Sequence, residues 1–367
     1  MEKKSPYFIA ELGTSHGGDV VKARELIAAA TEAGADCVKC QIVFADEILH
    51  PKTGKVSLPG GEISLFESFK ALERDEYFYE EMKNTAEKMN IDFLATPFGP
   101  KSAALLKKLA PKAVKIASPE LNYTSLLKEI ASWGLPIYLS SGVSTLGDIE
   151  EAIDIIRETS VSKDDSSGKY EVILLHCVTA YPAPNEDYNL RLLPHLAGIF
   201  GTQVGVSDHT MDPVLIPILG YVMGAVAIEK HFCLSRDDPG LDDPIALSPD
   251  AFKQMCTALH RAVNLETGQI VDEIKSEYGS DLVDKTLGTG IKTLASSERG
   301  NYGRTNRSIH AVKDISEGET IKPEMIAVLR SEKILRPGLH PRWENAIVGR
   351  KARNAIPAGE GVRFEDV

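Results

Sequence analysis

The sequence has no apolar run long enough to cross a bilayer, and its start, MEKKSPYFIAELG, carries none of signal-peptide length. No membrane role is expected, and the expected location is cytoplasmic. Positive charge is in deficit as well: the formal net charge is -12 and the pI is near 5.3. That balance argues against a sequence-independent grip on nucleic acid, so any anionic ligand must be held by a local cluster. Cysteine is scarce and odd in number, with Cys37, Cys40, Cys177, Cys233 and Cys256 scattered through apolar runs as reduced thiols would be. Cys37 and Cys40 form a C-x-x-C within a strand-like run, where that spacing points the two side chains to opposite faces, so neither a zinc nor a redox pair is expected. A G-x-G-x-x-G turn is missing after the first strand-like run, which reads GTSHGGD instead, and neither H-x-H nor H-E-x-x-H occurs.

What the sequence does contain is alternation. Strand-like runs at 7–12, 36–43, 92–98, 113–118, 136–141, 171–177, 203–208 and 225–232 alternate with segments of helical period. In DVVKARELIAAATEAG, Val20, Ala23, Ile27 and Ala30 share one helical face, and Thr145 with Asp148 suits a capping box. Each crossover is long enough for a helix, which calls for parallel strands. Eight such units over about 260 residues match a (β/α)₈ barrel. Residues 44–75 are too long for a plain connection, and long loops after barrel strands shape substrate sites. Toward the C-terminus, AVKDISEGETIKPEMI (311–326) and ARNAIPAGEGVRFEDV (352–367) align as strand-turn-strand repeats with Gly318 and Gly359 at the turns. The expected organisation is a TIM barrel over 1–270, a linker over 271–303 and a small, mostly β domain over 304–367.

Alternate residues of a barrel strand face its interior, and those at the C-terminal ends meet the ligand. On that parity His209 and His231 project from adjacent strand ends into the mouth, with Glu229 and Asp208 close by. Two imidazoles with open positions suit a divalent metal, and spacing alone leaves a metal-free mouth equally open. Lys39 and Gln41 share an interior face, and Lys115 repeats the pattern. An interior lysine must meet an anion or suffer desolvation. Hydroxyls gather at the same end: Thr96, Ser118, Ser140, Ser141 and Ser207. This set suits a phosphate or carboxylate, and a Schiff-base lysine is the alternative. Glu11 and Glu120 add carboxylates at the rim. His16 and His176 read as structural, and the other histidines as surface or packing groups.

The segments IAELGTSHGGD, AGADCVKCQ, ATPF, VKIASPE, LLHCVTAYPAP, VGVSDHT, IEKHF and PGLDDPIALSPD stand in the order and spacing of the sialic acid synthase family, which the chain resembles. That family includes N-acetylneuraminate, pseudaminic and legionaminic acid synthases. The C-terminal repeats, with AVKDISEGETI and a nearby RPG, are similar to its SAF domain, itself like type III antifreeze proteins. The resemblance implies condensation of phosphoenolpyruvate with the open-chain aldehyde of a 2-acetamido sugar, N-acetylmannosamine or a related bacterial sugar. The products would be a nonulosonic acid and phosphate. It implies a divalent ion, Mn²⁺ first and Mg²⁺ or Co²⁺ as alternatives, on His209 and His231. Lys39, Thr96, Lys115, Ser118, Ser141, Thr179 and Ser207 would then cradle phosphoenolpyruvate. Gln41, Tyr181 and Asp242 would bind the sugar, while Glu11 and Glu120 would orient sugar hydroxyls or the attacking water.

By the same resemblance the C-terminal domain would cap a partner's barrel in a domain-swapped homodimer, presenting Arg330 by register or Arg336 by the RPG motif. Ser15, Cys40 and Thr179 depart from the usual family residues, and the insertion SEKIL separates the two arginines. Another phosphoenolpyruvate-dependent 3-deoxy-sugar-acid synthase, a Schiff-base aldolase and a non-catalytic carbohydrate- or ice-binding protein are the alternative readings.

Overall fold

In the segment YFIAELG, Phe8, Ala10 and Leu12 pack into the large cluster shared with the helices, whereas Tyr7 and Ile9 join a separate interior cluster. That period-two division between two apolar surroundings is what a strand covered on both faces requires. A computed structural model describes residues 4–58, 61–160 and 171–367. Eight strands share the pattern: β1 (Tyr7–Gly13), β2 (Cys37–Ile42), β3 (Asp92–Pro97), β4 (Val114–Ile116), β5 (Ile137–Ser140), β6 (Val172–Cys177), β7 (Gln203–Asp208) and β8 (Ala227–His231). They pair in the order β3-β2-β1-β8-β7-β6-β5-β4, every ladder parallel. β3 and β4, at the two ends of that order, pack side by side, so the sheet nearly closes as the expected (β/α)₈ barrel. The run AVKIAS yields only a three-residue strand because Ser118 already begins the 3₁₀ turn Ser118–Glu120, whose Pro119 has no N–H for a ladder.

Helix starts are capped by side chains, at Thr145 and Asp148 as the sequence leads one to expect and also at Asp19. Asp19 accepts the N–H of Val21 ahead of the helix Val20–Glu32, and Thr145 and Asp148 exchange side-chain bonds ahead of Leu146–Ser160. Inside the barrel, Ile9, Cys37, Leu94, Ile173, Leu175 and Ala227 form an apolar floor. Cys37 belongs to this floor and Cys40 to the outer cluster, so the C-x-x-C pair is divided between two faces. Gly205 is required in the floor, since a Cβ there would lie 2.6 Å from the Ala227 carbonyl oxygen. No helix of the described residues is long and apolar enough to cross a membrane.

The stretch 271–303 is more structured than a linker. Helices Thr267–Tyr278 and Ser280–Leu287 bury Ile270, Ile274, Val283 and Leu287 in the barrel's outer core. Beyond them the chain runs in turns along the barrel rim to β9 (Arg307–Ala311), which pairs antiparallel with β10 (Ile326–Arg330). These strands and the second repeat share their own core around Ile309, Ile315, Ile326 and Ile356. Gly318 and Gly359 occupy the turns with φ of 80° and 96°, a region that favours glycine. Neither repeat forms the expected strand-turn-strand unit: β9 and β10 flank the first, meeting it only at Ala311 and Ile326. The two repeats pair with each other through isolated bridges such as Ile315 with Ile356, which Pro357, lacking an N–H, does not extend.

Candidate active site

Above the apolar floor the strand ends carry a polar layer. Lys39 Nζ contacts the Glu11 carboxylate and lies 3.4 Å from Thr96 Oγ1 and 3.9 Å from Glu229 Oε2. Lys115 Nζ lies 3.4 Å from Glu229 Oε1, which also accepts Ser207 Oγ–H at 2.8 Å. Both lysines are buried, and burial pushes the Lys115 ammonium down from its ordinary range. At Glu229 burial opposes the charge, but Lys115 and Lys39 outweigh it and hold the carboxyl down at about 2. The anion that interior lysines demand is therefore partly supplied by the chain. This corrects the grouping of Glu229 and Asp208 with the histidines: Glu229 serves the lysines, and Asp208 turns to Lys230, 2.8 Å away.

Ser118, Thr179 and Gly142 meet beside this layer. A Cβ on Gly142 would lie 2.1 Å from Thr179 Oγ1 and 2.9 Å from Ser118 Oγ, so glycine permits the approach. Ser118 Oγ accepts the Gly142 N–H at 3.0 Å, and Ser141 donates its hydroxyl to the Leu175 carbonyl. The Thr179 and Ser140 hydroxyls are buried without a hydrogen-bond partner among the described residues. Such groups are costly unless a ligand or water completes them.

His209 and His231 do come together, with ring centroids 5.4 Å apart. His209 Nδ1 sits 2.8 Å from the Val178 carbonyl, a hydrogen bond that makes Nδ1 the donor and leaves Nε2 as the lone-pair nitrogen. Burial opposes charge on His209, yet Cys177, its sulfur 3.8 Å from Nδ1, draws its pKa up to about 9. His231 goes the other way, lowered by burial to about 3. Among the described residues no set of three or more His, Cys, Asp or Glu side chains is arranged to hold a metal. An ion at the mouth would therefore take its remaining ligands from water and substrate.

The residues expected on the sugar side also converge. Gln41 Nε2 donates to Glu11 Oε1 at 2.9 Å, and Asp242 Oδ2 lies 3.8 Å from His231 Nδ1. Gly13, with φ of 51°, sits among them: a Cβ there would be 3.3 Å from Glu11, 3.4 Å from Asp242 and 3.6 Å from Gln41. Tyr181, half exposed, stacks on His209 at 4.3 Å and meets His231 edge-on at 5.9 Å.

The C-terminal domain closes this mouth. Glu120 Oε1 receives Arg330 Nη2 at 2.7 Å and Arg307 Nη2 at 2.8 Å, while Glu120 Oε2 is buried with no partner among the described residues. Arg330 also lies over the Phe98 ring, 5.6 Å from its centroid. Arg336 stays inside its own domain, on Asp366 and the Gly361 carbonyl. The two candidate arginines therefore part company, Arg330 at the mouth and Arg336 away from it.

Sequence reasoning missed Arg307, a fully buried guanidinium that also donates to the carbonyls of Phe98 at 2.8 Å and Glu47 at 2.6 Å. The parity that singled out Lys39 would have found it, since Arg307 shares one strand face with the core residues Ile309 and Ala311. Glu298 was missed too. Its Oε1 accepts the N–H groups of Val143 at 2.8 Å and Thr179 at 2.6 Å, and no local pattern marks it. The resemblance implies a cap on a partner's barrel. Here residues 298–307 follow the rim of their own barrel: Glu298 accepts the Val143 N–H, and Asn306 Nδ2 donates to the Val143 carbonyl.

Comparison with known proteins gives two matches to family models: residues 26–271 match the NeuB family and residues 306–367 the SAF domain. The spore coat polysaccharide biosynthesis protein SpsE of Bacillus subtilis is 34% identical over 370 residues, covering 100% of this chain and 94% of that protein. Its crystal structure superposes with a TM-score of 0.80 at 32% identity, covering 99% of this chain and 95% of the other. The N,N'-diacetyllegionaminic acid synthase of Campylobacter jejuni is 34% identical over 320 residues, 86% of this chain and 87% of that one. The structure of N-acetylneuraminic acid synthetase from Leptospira borgpetersenii, solved with citrate, gives a TM-score of 0.62 at 28% identity, over 76% of this chain and 93% of that chain.

Proposed function

The chain belongs to the NeuB family, and on that premise we propose that it condenses phosphoenolpyruvate with the open-chain aldehyde of a 2-acetamido sugar to give a nonulosonic acid and phosphate. The observation that carries this reading is the junction of three groups in one mouth. They are buried Lys39 and Lys115 among hydroxyls, two strand-end histidines, and Arg330 on Glu120. Lys39, Lys115, Thr96 and Ser207 hold the phosphoenolpyruvate anion, with Ser118, Ser141 and Thr179 lining the neighbouring loop. Gln41, Asp242 and Tyr181 orient the sugar, with Arg330 directed at its acyl group. The set at the mouth, two imidazoles with open positions, fits a divalent ion, Mn²⁺ before Mg²⁺ or Co²⁺. Such an ion would supply Lewis acidity toward the aldehyde oxygen.

The residues then divide the chemistry. Carbon 3 of phosphoenolpyruvate bonds to the aldehyde carbon, and carbon 2 gains positive charge. Glu120, fixed through Oε1 by two arginines, offers Oε2 to hold the water that adds to carbon 2. The carbon–oxygen bond to phosphate then breaks; of the water's two protons, one passes to the former aldehyde oxygen, now a hydroxyl, and the other leaves with phosphate. Glu11, bridging Lys39 and Gln41, keeps the phosphoenolpyruvate and sugar sides in register.

As quaternary structure we propose a homodimer in which two copies exchange caps. A swapped domain makes between chains the contacts it makes within one. The cytoplasm is the proposed compartment, in keeping with five buried free cysteines. The function is tested by following phosphate release from phosphoenolpyruvate over a panel of 2-acetamido sugars that differ at carbons 4 and 6. One or a few sugars should elicit release together with a 2-keto acid; a panel with no responsive sugar contradicts the reading.

A further inference from the structure

Directly behind the two histidines lies a buried ion pair that the reaction does not use. Asp208 and Lys230 are register partners at the ends of β7 and β8, and each precedes one of the histidines in sequence. Their parity carries them away from the mouth, and their charged ends meet at 2.8 Å with exposures of 0% and 1%. Thr210, on the other side of His209, completes the set. Its N–H donates to Asp208 Oδ1 at 2.8 Å, while its carbonyl and hydroxyl receive Lys230 Nζ at 2.5 and 3.2 Å. Residues 208–210 are thereby folded into a tight loop around His209 and bolted to the residue before His231. The His209 N–H is held separately by the Tyr188 hydroxyl at 2.7 Å.

A buried ion pair gives little net stability, because desolvation offsets its attraction. What this one fixes is position. We propose that Lys230, Asp208 and Thr210 form a clamp that sets the separation and orientation of the His209 and His231 imidazoles, and thereby the affinity of the mouth for a divalent cation. The three are positioning residues: none faces the substrates, and each acts through the histidine beside it. The proposal rests on the reading of the two histidines as cation ligands.

The test is the Mn²⁺ dissociation constant of the full-length protein without substrates, from the electron paramagnetic resonance signal of free Mn²⁺. Lys230→Met and Asp208→Asn should each weaken binding by roughly ten- to a hundredfold, the range for losing a group that orients a metal ligand. Phosphoenolpyruvate affinity, measured by calorimetry in the absence of metal, should stay unchanged in both. Thr210→Val keeps the backbone carbonyl and loses only the hydroxyl, so it reports even if removing a charge prevents folding, and it should weaken Mn²⁺ by a smaller factor. Mn²⁺ affinity equal to wild type in Lys230→Met or Thr210→Val, with only the melting temperature lowered, overturns the clamp and leaves the cation site standing. If the wild-type protein binds no more Mn²⁺ than the His209→Ala, His231→Ala double variant, the cation reading itself fails and the clamp with it.

Discussion

Lys39 and Lys115 were legible from the sequence because strand parity is a strict geometric rule: a lysine between outward apolar residues must point inward. Parity does not say which anion meets it. The two ammonium groups share Glu229, whose partner choice depends on distances across β8, β2 and β4. Lys115→Met should weaken phosphoenolpyruvate binding by roughly 2 to 4 kcal/mol, the loss of one charge-assisted contact in a desolvated site. Titration calorimetry reads it directly. An unchanged dissociation constant would assign the lysine to structure or to Schiff-base chemistry. The His209 and His231 pair was legible by the same parity, whereas the role of Asp208 was not. Its side chain faces away from the mouth, and only the structure shows it closed on Lys230.

Among the elements, β9 and β10 decide which arginine reaches the mouth. Their register sets Arg307 opposite Arg330, so both guanidinium groups leave the domain at one edge and meet Glu120. The insertion between Arg330 and Arg336 carries the latter past that edge to Asp366, a result no motif could give because the insertion changes which arginine follows the strand. Arg330→Ala should therefore raise the Michaelis constant for the sugar with little change in that for phosphoenolpyruvate. Arg336→Ala should leave both near wild type. Steady-state kinetics with each substrate varied in turn checks the pair, and an effect confined to Arg336→Ala would reverse the assignment. The helix ends were read correctly where a cap is local in sequence, as at Thr145 and Asp148. β4 came out shorter than expected because Pro119 redirects the chain just beyond it.

For the whole molecule, eight repeated strand-helix units announced the barrel, since period and spacing are properties of the sequence itself. How the cap sits is not such a property. It depends on the path of residues 288–306, which carry no repeating pattern, and on contacts such as Glu298 with Val143 that join positions far apart in sequence. If two copies exchange caps, mixing a His209→Ala protein with one truncated after residue 300 should restore part of the activity. The restored species would pair an intact barrel with an intact cap. A mixture that stays inactive after the subunits have demonstrably exchanged would leave each cap on its own barrel. That water adds at carbon 2 before phosphate leaves is read out by running the reaction in ¹⁸O-labelled water and weighing the phosphate. Cleavage between carbon and oxygen predicts phosphate free of label, released only in the presence of the sugar. Labelled phosphate would show water attacking phosphorus and would contradict the assignment of Glu120 and of the mouth above it.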